Sequence, residues 1–284
     1  FQSLVGTAWT AAVGLPRIGV VKAAFFPAGA APGAWISIHG QRLSSNTRTW
    51  TAADIAAGKL PTSLDGVRVS INGKDAFVYY ISPTQINVQA PADSLSGTVQ
   101  VVVTNSNGSS QPTSVTLQPV LPGFFRLAEG YITATDASGN YLAPTGLVSG
   151  LVTAPARAGD TITLWGTGFG PVNPAVEPGE AFSGANPLLN PLKLRIGQSN
   201  ALVPFAGMTA AGVYQFNVIV PDLPSPSPRK VQACEPPPWH ACAYSGNQYS
   251  GPAGRLSAGP GRGPSPSLNG PRLATSPTQL VRSV

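Results

Sequence analysis

The chain has 284 residues, of which only 10% are charged, with a formal net charge of +6 and with 32 Gly and 30 Pro. Breakers at this density exclude a coiled coil or helical bundle, and the lack of a strict Gly period excludes collagen. A hydrophobic share of 42% supplies a core, while no apolar run approaches the ~20 residues of a membrane-spanning helix.

The predicted elements are strands separated by turns. Residues 1–17 read as an N-terminal leader or the end of an upstream domain. The chain starts at Phe1 rather than Met, as a fragment or processed product would, and no secretory h-region is visible. Trp35-Ile36-Ser37-Ile38-His39 alternates apolar and polar and stops at Gly40. Ala52 to Ala57 reads as one short helical turn capped by Thr51. Val67 to Ile71 alternates into Asn72-Gly73, a pair that tolerates the positive φ of a type I′ hairpin turn. Ala76 to Ile81 is the expected returning strand. Gln85-Ile86-Asn87-Val88-Gln89 alternates again and ends at Pro91. Thr98 to Thr104 is a β-branched run closed by Asn107-Gly108, and Ser114 to Leu117 completes the set. This spacing of short strands is that of an immunoglobulin-like β-sandwich, predicted over residues 18–119.

The second half repeats the first. Gly33 to Gly40 aligns with Gly159 to Gly166, and Val67, Val69 and Ile71 align with Leu192, Leu194 and Ile196. Ala76, Val78 and Tyr80 align with Ala201, Val203 and Phe205. Gln85-Ile86-Asn87-Val88 before Pro91 matches Gln215-Phe216-Asn217-Val218 before Pro221. A repeat this long means tandem domains rather than a solenoid. The expected organisation is therefore all-β, with two tandem immunoglobulin-like sandwiches at 18–119 and 120–222, joined near Pro119 to Gly123.

Residues 223–284 break the pattern. They hold twelve prolines and seven glycines in 62 residues, no alternating apolar run, and six basic side chains against the single acid Glu235. Proline cannot donate to a ladder. The stretch is expected to be a disordered tail without strands, leaving the second sandwich truncated by its two closing strands and exposing a sheet edge. A frame-shifted reading of the gene would produce such an ending. The tail also carries most of the basic character, with its arginines isolated by Pro, Gly and Ser, which excludes a nucleic-acid groove. Both cysteines, Cys234 and Cys242, lie there beside Trp239 and His240. Their number and spacing do not fit a four-ligand zinc module.

Several sites weigh function against structure. Gly166-Thr167-Gly168-Phe169-Gly170 imitates a phosphate-binding loop, but its third Gly comes one residue early, and Pro171 and Pro174 block a following helix. It reads as a turn. His39, the one histidine of the body, sits on a strand with no Gly-x-Ser-x-Gly elbow anywhere in the chain, so it reads as a packed aromatic substitute. Asp136 to Asn140 offers alternating oxygens but no bidentate Glu at calcium spacing, and reads as an Asx turn. Gln85, Asn87 and Gln89 form a polar stripe suited to a sugar or to a partner's backbone. Its recurrence as Gln215 and Asn217 favours a structural role at an edge between domains. Trp35 and Trp165 belong to strands and are expected in the core, whereas Trp50 lies in a loop and is the best single candidate for a carbohydrate or partner contact.

Blocks from Ala31 to Gly40, Leu60 to Pro91, Pro155 to Asp160, Leu164 to Pro174 and Tyr214 to Pro221 together resemble a secreted acidobacterial, Solibacter-type C-terminal module. Its two sandwiches look like IPT/TIG domains. The resemblance implies a non-enzymatic spacer, adhesion or protein-binding module of an exported or cell-surface protein, with no catalytic residue, cofactor or metal. The expected partner is an extracellular protein or polysaccharide, with no nucleic acid and no membrane span. The alternative is a carbohydrate-binding module attached to a larger secreted enzyme.

Overall fold

The computed structural model describes residues 14–23, 29–128, 130–190, 192–197 and 199–222, together with the backbone of 229–234 and 242–248. Ten strands build the first sandwich. They are β1 (Arg17–Ala23), β2 (Trp35–Gln41), β3 (Arg48–Thr49), β4 (Arg68–Ile71), β5 (Lys74–Asp75), β6 (Phe77–Ile81), β7 (Gln85–Gln89), β8 (Gly97–Asn105), β9 (Gly108–Ser109) and β10 (Thr113–Leu117). One sheet runs β1-β2-β7-β6-β3 and the other β10-β8-β4-β5, with β9 on β8.

Alternation decides which faces meet. Val69 and Ile71 of β4 are buried while Arg68 is exposed, and Val99, Val101 and Val103 of β8 point the same way. They pack on Ile36, Ile38, Ile86 and Val88 of the opposing sheet. Asn72 and Gly73 take φ of 53° and 75°, as a type I′ turn requires. The expected returning strand divides at Ala76. β5 stays with β4, whereas β6 pairs β7, so the chain crosses between layers within a few residues. The expected helical turn is shorter than predicted. It is a single 3₁₀ turn at Ala52–Asp54, with the Thr51 amide donating to Asp54 Oδ2 at 2.7 Å.

The second sandwich begins with the short strands β11 (Gly123–Phe124), β12 (Arg126–Ala128), β13 (Tyr131–Ile132), β14 (Ala134–Thr135), β15 (Tyr141–Leu142) and β16 (Thr153–Ala154). Two-residue pairings carry too little alternation to be read from sequence. The longer strands follow: β17 (Thr161–Thr167), β18 (Ser183–Pro187), β19 (Lys193–Ile196), β20 (Ser199–Ala210) and β21 (Val213–Ile219). Two strand pairs are alike in register. β2 pairs β7 with Ser37 opposite Asn87, and β17 pairs β21 with Thr163 opposite Asn217. β20 performs the task divided between β5 and β6. Its first residues pair β19, the remainder pairs β21, and register shifts between Leu202 and Phe205 mark where it bends. The second core gathers Phe124, Phe169 and Phe216, whose ring centroids lie 4.5–5.5 Å apart, with Leu164, Ile196 and Val218.

Two segments of the C-terminal stretch are also described. Two strands, β22 (Arg229–Cys234) and β23 (Cys242–Gln248), fall within the stretch predicted to contribute none. β22 pairs β19 and β23 pairs β22, the arrangement that β8 and β10 make on β4. β22 thus lies along the edge of β19. The physical reason is local. The prolines at 224, 226 and 228 precede β22 and those at 236–238 lie between the strands, so each strand occupies a Pro-free window in which every residue has an N–H to donate. The remainder of 223–284, with Trp239 and His240, lies outside the described residues.

Candidate functional site at the junction of the sandwiches

The two sandwiches meet through a third apolar cluster made of Trp35, Leu60, Tyr79, Phe125, Trp165 and Val213. Trp35 and Trp165 are buried, as expected, but in this junction rather than inside either sandwich. Trp35 begins β2, and Trp165 lies two residues before the end of β17. Polar pins fix the register. The Trp35 amide donates to Thr167 Oγ1 at 2.8 Å, and that hydroxyl donates onward to the Gly212 carbonyl at 2.7 Å. Trp35 Nε1 donates to the Ala211 carbonyl at 2.8 Å. Leu121, whose side chain belongs to the first core, donates its amide to Gly168 at 3.0 Å, which ties the linker to the second sandwich.

The long connection after β3 adds a second attachment. The Leu60 amide donates to the Gly179 carbonyl and the Ala181 amide to the Gly58 carbonyl, both at 2.8 Å. Lys59 and Glu180 pair at 3.3 Å beside them, largely exposed and so worth little. Gly168 and Gly179 have φ of 77° and 84°, and a β-carbon on either would strike the Leu121 carbonyl or the Phe77 ring. The Gly166–Gly170 motif is thus a close-approach turn against the linker, not a phosphate cradle.

The polar stripe divides. Gln89 is 2% exposed and bridges the junction, donating from Nε2 to the Gly33 carbonyl at 3.0 Å and accepting the Gly179 amide on Oε1 at 2.9 Å. Asn87, fully buried, accepts from Ser37 Oγ and Gln85 Nε2, each at 2.8 Å. The second copy repeats the unit, with Thr163 Oγ1 and Gln215 Nε2 donating to Asn217 Oδ1 at 3.5 and 2.9 Å. A strand face that must bury amides satisfies them in this way. His39 lies on β2 opposite Val20 and Gln85. Asp136 Oδ1 accepts the Ser138 and Asn140 amides at 2.8 and 2.9 Å, the geometry of an Asx turn.

Trp50 is half-buried. Its ring stands edge-on to Tyr79 at 4.8 Å and to Trp35 at 5.7 Å, and its amide donates to the Tyr79 carbonyl at 3.0 Å. It forms one wall of a cleft of ≈ 280 Å³ whose other walls include Ile55, Leu60, Phe182 and Ala211. Half the cleft therefore comes from the second sandwich, which no local signal around Trp50 reveals. The loop bearing Trp50 is braced by Arg48, whose guanidinium contacts Asp54 Oδ2 and Asp65 Oδ1, each at 2.9 Å. These hydrogen bonds push Arg48 above its ordinary range and hold the carboxyls of Asp54 and Asp65 below theirs. Among the described residues no cluster of three or more His, Cys, Asp or Glu is placed to hold a metal ion.

A family model of the IPT/TIG domain matches residues 23–118. The match covers β2 to β10 of the first sandwich, whose two facing sheets are immunoglobulin-like. No curated protein matches the chain. Among solved structures, it is similar to a gamma-CGTase from alkalophilic Bacillus clarkii at 15% identity and a TM-score of 0.27. It is also similar to an SGBP-B from a complex xyloglucan utilization locus in Bacteroides uniformis, at 14% identity and a TM-score of 0.24. A third is an SGBP-B from a Bacteroides ovatus mixed-linkage glucan utilization locus, in complex with a heptasaccharide, at 10% identity and a TM-score of 0.33. These alignments cover 83%, 83% and 82% of this chain but only 25%, 49% and 45% of the three structures. Among the described residues no helix is long and apolar enough to cross a membrane.

Proposed function

We propose that the chain is a non-enzymatic, two-sandwich interaction module of an exported or cell-surface bacterial protein, holding its neighbours at a fixed distance and angle. The observation that carries this reading is the junction. Tandem domains joined only by a linker move independently by default. Here a buried aromatic cluster, the Gln89 bridge and the attachment at residues 58–60 hold the two sandwiches together. The IPT/TIG match over the first sandwich supports an immunoglobulin-like module. The test is calorimetry and small-angle scattering on the full chain. The two sandwiches are expected to unfold in one transition and to scatter as one fixed body. Two independent transitions, with scattering that needs a range of interdomain angles, would sink the proposal.

A second reading, a carbohydrate-binding module attached to a larger secreted enzyme, draws on one observation: the half-exposed Trp50 ring at the mouth of the junction cleft.

A further inference from the structure

We infer that the junction cleft is a binding site for one neutral pyranose residue of a polysaccharide, with Trp50 as its stacking platform. This rests on reading the chain as a binding module and gives that module a site and a ligand class.

Three features select the ligand. The first is charge. The cations flanking the cleft, Arg48 beside Trp50 and Lys59 beside Leu60, are both engaged, Arg48 by Asp54 and Asp65 and Lys59 by Glu180. An anionic ligand meets a rim whose cations already have partners, and the Arg48 cluster carries one more carboxylate than guanidinium. A cationic ligand meets carboxylates already held by hydrogen bonds. Uncharged lining walls favour a neutral molecule, because a charge moved there from water loses hydration without gaining a partner.

The second feature is the division between dry and wet. Trp35 and Tyr79 form a buried floor, while Trp50, Ile55 and Phe182 are half-buried and Ser183 is exposed. A wholly apolar ligand would leave one face in water. A ring with C–H groups on one face and hydroxyls around its rim matches both sides, as aromatic residues do where an apolar surface borders a wet one. The third is size. A cleft of ≈ 280 Å³ is near the lower end, about 300 Å³, of small-molecule sites. It seats one sugar ring, and its open mouth lets a chain continue on either side.

The site exists only when the sandwiches are docked, since Trp50 and Ile55 come from the first and Phe182 and Ala211 from the second. Occupancy therefore stabilises the junction, because a ligand that binds only the docked form favours that form.

The experiment titrates the full chain with cellohexaose, maltohexaose, xylohexaose and laminarihexaose at millimolar concentration, following the Trp50 indole N–H by NMR alongside calorimetric binding. At least one hexaose is expected to shift the Trp50 indole resonance and bind. Trp50→Ala should weaken that binding about tenfold or more. Ser183→Trp guards against a merely structural effect of removing Trp50. Position 183 is exposed, so a bulky side chain obstructs the mouth without entering either core, and it should abolish binding while leaving the unfolding temperature unchanged. The assignment is overturned if no hexaose shifts the Trp50 indole, if binding survives Ser183→Trp, or if choline or decanoate takes the cleft instead. Absence of sugar binding overturns it whether the sandwiches unfold together or apart. Joint unfolding would then leave the two-sandwich module standing, and separate unfolding would remove that as well.

Discussion

Gln89 offers the sharpest test of how the junction is held. Its amide is 2% exposed and serves two backbone groups, the Gly33 carbonyl at 3.0 Å and the Gly179 amide at 2.9 Å. Gln89→Met keeps the length of the side chain and removes both hydrogen bonds. A buried polar group left without a partner costs about 1–3 kcal/mol, so two of them, partly relaxed, give an expected loss of about 2–4 kcal/mol. Gln89→Glu keeps an acceptor for Gly179 but places a carboxylate against the Gly33 carbonyl, and is expected to cost more still. The assay is urea unfolding followed by tryptophan emission, which reports on the junction because Trp35, Trp50 and Trp165 all lie there. The expected result is a lower midpoint, or a transition split in two as the sandwiches uncouple. If Gln89→Met unfolds within about 0.5 kcal/mol of wild type in one transition, the size of a neutral surface change, the junction does not depend on this bridge and the reasoning fails.

Glycine substitutions should separate conformational strain from collision. Gly58 and Gly179 both have positive φ, but a β-carbon meets nothing at Gly58 and the Phe77 ring at Gly179. Gly58→Ala is expected to cost about 1 kcal/mol from backbone strain alone, and Gly179→Ala clearly more; equal losses by thermal unfolding would contradict the assigned contact. Acid should loosen the loop that carries Trp50. The carboxyls of Asp54 and Asp65 titrate below their unfolded range through hydrogen bonds from Arg48. Their stabilisation is therefore fully present above about pH 4 and is lost as the pH falls through the lower folded values. Arg48→Met should flatten the decline in unfolding temperature below pH 4, and an unchanged slope would assign it to other groups. Truncation after Asp222 removes β22 and leaves β19 as an open edge. The shortened chain should be less stable and self-associate in analytical ultracentrifugation, and a monomer of unchanged stability would show that β22 does not close the sandwich.

Local pattern determined most of the strands. Alternation placed β4, β8 and β10 because each has one face in a core and one turned to water, and β2 and β7 because polar residues alternate with apolar ones even though Ser37, Asn87 and Gln89 are themselves buried; the Asn72-Gly73 turn followed from the φ values that those two residues tolerate. The repeat paired Ser37, Asn87 and Gln85 with Thr163, Asn217 and Gln215, and the same hydrogen-bonded unit stands in both sandwiches. Where pairing spans two residues, as from β11 to β16, no period exists to be read. β22 and β23 were hidden for another reason. The proline content of the whole stretch outweighed two short windows that contain none, and only the waiting edge of β19 makes those windows strands.

The candidate site shows the same division. Trp50 stands out in the sequence as an aromatic residue in a loop, and Gln89 as a polar residue where a core residue could stand. Which of them faces a cleft and which is sealed in the junction depends on the second sandwich, whose contacting residues lie 90 positions beyond Gln89 at Gly179 and farther still beyond Trp50. Strand identity is set by neighbours within a few residues, which the sequence contains in order. Exposure at the junction is set by the docking of two separately patterned surfaces, and that arrangement exists only in the folded chain.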